Sequence, residues 1–221
     1  MNKNMNKNMR MFIVCVVFAL LSSCKNDAIS KDLESSVQSE QEIKKEFNGL
    51  LNILETKDLS QLDEKDTKEI EKTIKDLKDK VEKTDSKKTP IGTYLEYEKK
   101  IQEIREKLKG KGNFEDKLNG LEESLTKKKE ERKKALQEAK QKFEEFQNQV
   151  NTTTGVTTGQ RAGNQGAVGA QAFKCAKEFG LSVSSSSKNG TDTGDMSKGI
   201  IDDAIKKIEE ELKNTIEDTK E

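Results

Sequence analysis

Ile70, Ile74, Leu77 and Val81 recur at steps of four, three and four residues, and this rhythm governs most of the chain. On an α-helix that spacing lines all four along one narrow stripe. It returns in Tyr94, Tyr97, Ile101, Ile104 and Leu108, and again in Ile201, Ile205, Ile208, Leu212 and Ile216. A single proline in 221 residues leaves little to interrupt it. No apolar/polar alternation runs longer than four residues, so the chain is expected to be all-α, a multi-helix bundle.

The stripes place helices at about 40–56, 66–83, 93–109, 114–150, 171–179 and 200–218. Thr84 to Pro90 separates the second from the third, and Gly110 and Gly112 close the third. The fourth is the longest, roughly 55 Å if straight. Its stripe runs Phe114, Leu118, Leu121, Leu125, lapses over Thr126–Lys134 (TKKKEERKK), and resumes at Leu136, Ala139, Phe143, Phe146 and Val150. Over the lapse, either the helix projects into solvent or its neighbours end on both sides of the gap. Two stretches depart from the pattern: 151–169 holds five glycines and five threonines, and 182–199 is Ser/Gly-rich; both read as linkers.

The N-terminus follows another logic. Lys3, Lys7 and Arg10 precede an uninterrupted apolar run, Met11 to Leu21, that is too short to span a bilayer. This is the layout of a secretory signal. Its ending, Leu21-Ser22-Ser23-Cys24, resembles a bacterial lipobox, in which the Cys becomes the lipidated first residue of the mature chain. Residues 1–23 are then a lipoprotein signal peptide, and 24–41 a polar, flexible tether with helix left open towards its end. Residues 42–221 form the helical domain. Each buried methylene contributes about 0.8 kcal/mol, so two or three acyl chains hold such a protein firmly to a membrane.

Removal of the signal leaves 38 basic residues against 41 acidic, a net charge of −3. That balance speaks against nucleic acid and against a bare anionic membrane surface as partners. With 37% charged residues and 5% aromatic, thin apolar seams are expected in place of a large core. The chain has no histidine, which excludes Ser-His and Cys-His nucleophiles and His-ligated zinc. Cys175 has no partner cysteine in the mature chain and reads as a small core residue, with a reactive thiol as the alternative. No catalytic, metal or cofactor site is expected, and the protein reads as a binding module, not an enzyme. Lys127, Lys128, Lys129, Arg132, Lys133 and Lys134 put six basic residues in eight. They read either as a polyanion or partner contact or as a solvated face blunted by Glu130 and Glu131.

These stretches carry a family resemblance. Met9-Arg10-Met11-Phe12-Ile13-Val14-Cys15, continuing through Leu21-Ser22-Ser23-Cys24-Lys25-Asn26, resembles the shared leader of the OspE/F-related (Erp) lipoproteins of Borrelia. Leu54 to Leu59, Lys127 to Phe146, Gln171 to Ala176 and Lys206 to Leu212 resemble the Elp subgroup. The resemblance implies an outer-surface lipoprotein exposed to host plasma. It also implies binding of the complement-initiating proteases C1r and C1s and inhibition of the classical pathway by occlusion. It assigns no contact residue to a numbered position here. Two alternatives stand beside it: an adhesin for glycosaminoglycan or extracellular matrix, and a structural lipoprotein on the periplasmic face.

Overall fold

The computed structural model describes residues 29–111, 113–151, 159–183 and 193–217. The expected signal peptide and Cys24 lie outside these residues. Six helices make up the described chain, with no strand among them: α1 (Ile29–Thr56), α2 (Glu64–Glu82), α3 (Ile91–Leu108), α4 (Glu115–Asn151), α5 (Gly159–Glu178) and α6 (Thr193–Glu217).

The apolar stripes become two separate cores. The first gathers Phe47, Ile74, Tyr94, Tyr97, Leu121 and their neighbours from α1, α2, α3 and the first half of α4. Phe47 stacks on Tyr97 inside this four-helix bundle, with ring centroids 5.2 Å apart. The second gathers Leu136, Phe143, Phe146, Phe179 and Ile201 from the rest of α4, α5 and α6, with Ile91 from the start of α3. The 37-residue α4 is the spine common to both bundles.

Cross-helix pairs fix the arrangement. α1 and α3 are parallel: Lys44 meets Glu96, Lys100 donates to Asn48 and Lys107 meets Glu55. α2 and α4 are parallel as well, through Lys117 with Glu71 and Ser124 with Glu82. α2 and α3 therefore occupy opposite corners, and the loop between them crosses the end of the four-helix bundle diagonally. In the second bundle α6 runs antiparallel to α4, with Lys140 paired to Glu209 and Gln147 to Asp202. α5 packs against both, and its Gly169 sits directly against Ser197 of α6.

Three expectations are corrected. The first helix starts at Ile29 and not near Glu40, so most of the expected tether is helical. Residues 29–39 contain neither Gly nor Pro, and nothing there stops a helix from extending out of the bundle. The linker expected over 151–169 is overturned from Gly159 on, where α5 begins; 152–158 lie outside the described residues. One glycine of α5 serves close packing: a Cβ on Gly169 would run into the Ser197 side chain. The linker expected over 182–199 is overturned from Thr193 on, where α6 begins and buries Ser197 in its second turn. Phe173 is half-buried, with the Lys177 ammonium 4.7 Å from its ring centre. Ile205 and Leu212 are also half-buried, and the Ile216 side chain lies outside the described residues.

Candidate functional site

The one part of the helical surface that the sequence singles out is the charged waist of α4, and it lies where the two cores meet. The stripe that buries Leu121 and Leu125 continues through Lys128 and Arg132 to Leu136 and Ala139. Those two cations point towards the diagonal loop, residues 83–90, and towards the end of α5.

A backbone segment laid between two apolar cores needs partners for its carbonyls. The waist supplies them. Lys128 Nζ donates to the Thr84 carbonyl at 2.9 Å, and Arg132 donates to the Lys87 carbonyl. A further Arg132 N–H reaches the Phe179 carbonyl at 2.8 Å, next to Gly180. Gly180 adopts φ +67°, and a Cβ there would lie 2.5 Å from the Lys88 carbonyl oxygen. Ser86 donates to the Glu131 carboxylate at 2.7 Å; that bond holds Glu131 below the usual carboxylate range, helped by Lys128. Thr84, itself buried, shares a 2.9 Å hydrogen bond with the Tyr94 hydroxyl.

Arg132 is the centre of this junction, with its side chain 1% exposed. Its Nε and one terminal nitrogen grip Glu211 of α6 in a bidentate pair at 2.9 and 2.8 Å. Glu211 also accepts the Ile91 backbone N–H at 2.8 Å. Ile91 opens α3, and the preceding Pro90 makes no side-chain cap, so a carboxylate from α6 meets the N–H and the positive end of the α3 dipole. One ion pair thus ties α3, α4 and α6 together. Glu40 of α1 sits at the same level, next to Thr93 and within the field of Arg132; burial raises its carboxyl above the ordinary value.

The six basic residues read as a contact surface do not share one open face. Arg132 is buried. Lys128 is committed to Thr84, and Lys129 to both carboxylate oxygens of Glu98 at 2.9 and 2.8 Å. Lys133 pairs with Glu130 at 2.7 Å. Lys127 and Lys134 are exposed. A stripe not anticipated from the sequence lies on α2, where Lys65, Lys68, Lys72 and Lys75 are all exposed. Their steps of three, four and three were legible, but the carboxylates between them masked the pattern.

Cys175 is fully buried beside Ala172 and Ala176 in the second core. Among the described residues no group of three or more Cys, Asp or Glu could hold a metal ion. Among the same residues no helix is long and apolar enough to cross a membrane. No protein-family model, curated protein or solved structure matches the chain.

Proposed function

We propose that this protein is an outer-surface lipoprotein, held to the membrane through Cys24, that works by binding a host protein on its helical surface. The observation that carries the reading is the order of the leader: three cations, an eleven-residue apolar core, then Leu21-Ser22-Ser23-Cys24. The leader and internal stretches that resemble the Erp lipoproteins point to C1r and C1s as the partner. The mechanism is occlusion: a helical face covers the protease surface needed for activation or docking, and this chain performs no bond chemistry. A surface dense in paired charges suits such a role, since charge complementarity speeds encounter more than it deepens affinity.

The test is surface-immobilised residues 25–221 against purified C1r and C1s. Saturable binding at micromolar concentration or tighter, weakening as salt rises, is the expected result. Absence of binding to both would remove the complement reading. The glycosaminoglycan reading has a specific observation of its own in the exposed lysines of α2, whereas most of the α4 cations are committed to internal partners. Retention on heparin without protease binding would shift the reading to that class.

A further inference from the structure

We infer that the chain stands on its membrane with the three-helix bundle inward and the free end of the four-helix bundle outward, so that this end is what a soluble protein meets first. The inference rests on the proposed anchor at Cys24.

Helix direction decides the orientation. The Tyr97 hydroxyl donates to the Glu40 carbonyl at 3.2 Å, which sets Glu40 level with the first turns of α3 and with the waist. Because α1 is parallel to α3, the part of α1 before Glu40 lies on the side of the waist that holds the second bundle. From Ile29 to Glu40 the helix runs about 16 Å in that direction. α4 descends on the same side from Arg132 to Asn151, about 28 Å. In the opposite direction, Ile29 to Glu55 spans about 39 Å along α1. Cys24 precedes Ile29 by five residues, which reach at most about 18 Å however they are arranged. The anchor therefore cannot lie at the free end of the four-helix bundle.

That free end is formed by the connectors 57–63 and 109–114. Leu59 and Leu62 pack down against the first core, Asp58 accepts from the Ser60 N–H and hydroxyl, and Lys57 is tied to Asp66 and Glu69. Asp58, Gln61, Asp63, Lys109, Lys111 and Asn113 are exposed. The tip is polar, carries both signs of charge and has no apolar patch among the described residues. It fits a protein partner engaged by hydrogen bonds and paired charges, not a lipid surface.

The experiment uses the full lipidated chain reconstituted into vesicles whose headgroups carry an energy-transfer acceptor. The donor dye sits on one introduced thiol, Gln61→Cys at the tip or Asn148→Cys on the lower half of α4, both exposed, with Cys175→Ala in each. Circular dichroism verifies that both variants keep the wild-type helix content. Flotation with the vesicles is measured first; a chain that does not float removes the anchor and the inference together. For a chain that floats, transfer from position 148 should exceed transfer from position 61 by at least about twofold, since the two positions lie at opposite ends of the helical rod. Equal transfer, meaning a chain lying flat, or stronger transfer from position 61 would overturn the orientation while leaving the anchor intact.

Discussion

Glu40 shows how the waist influences a residue that does not belong to it. Its carboxyl is raised above its ordinary value of 4.5, chiefly by burial, against the opposing pull of Thr89, Lys44, Thr93 and Arg132. The folded chain therefore binds this proton more tightly than the unfolded chain. The associated stability is fully present below the ordinary value and is lost as pH rises through the folded one. Glu40→Gln, which cannot ionise, should accordingly be more stable than wild type at pH 7. The difference should shrink as pH falls through the raised value towards about 4.5, and be gone below it. Thermal melts of both proteins at pH 7 and pH 4 check this, and a gain that grew on acidification would contradict it. Tyr94 and Tyr97 lie in the same region, and burial raises both phenols, so they stay neutral donors at any ordinary pH.

At the scale of elements, the glycines of α5 divide by what surrounds them. Gly163 is exposed, and a Cβ there would meet nothing within 4 Å, so Gly163→Ala should stabilise the protein by about 0.5–1 kcal/mol through helix propensity alone. Gly169 faces the opposite outcome. Its Cβ would lie 2.9 Å from Ser197 Cβ and 3.1 Å from Ser197 Cα, which rotation of the hydroxyl cannot relieve. Gly169→Ala should cost about 1–3 kcal/mol despite the better helix former, because α5 and α6 must move apart. Urea unfolding of the two variants, identical in chemistry, separates packing from propensity. The same contrast explains what the sequence reveals. Stripes such as Ile70, Ile74, Leu77 and Val81 are fully buried as their spacing implies, and α2, α3 and α4 begin and end within two residues of the expected positions. A glycine needed for close helix contact has the same composition as a glycine in a loop, so α5 is legible only from Gln171 onward. The waist was legible as a gap with neighbouring helices ending on both sides, one of the two alternatives read there, but not as a hydrogen-bonded junction. A charged run shows which side chains lack an apolar partner, not which carbonyls elsewhere in the chain require a donor.

At the scale of the molecule, those carbonyls explain the architecture. Two bundles are threaded on one continuous helix, and a diagonal loop lies between them as the floor of one and the roof of the other. TKKKEERKK can remain helical across this level because Lys128 and Arg132 satisfy the loop and the end of α5, while Glu211 returns from α6 to neutralise Arg132 and cap α3. Two of the cations that looked available for a partner, Lys128 and Arg132, join the halves, which moves the proposed binding surface onto the rest of the helical exterior. The most direct test is a double-mutant cycle in urea on Arg132→Ala, Glu211→Ala and the pair. Each single change should cost about 3–5 kcal/mol, because each strands a buried charge, and the pair should cost clearly less than the sum. Single costs below about 1 kcal/mol that simply add, as for solvated ion pairs, would mean that the waist is an open charged face and not the joint between two cores.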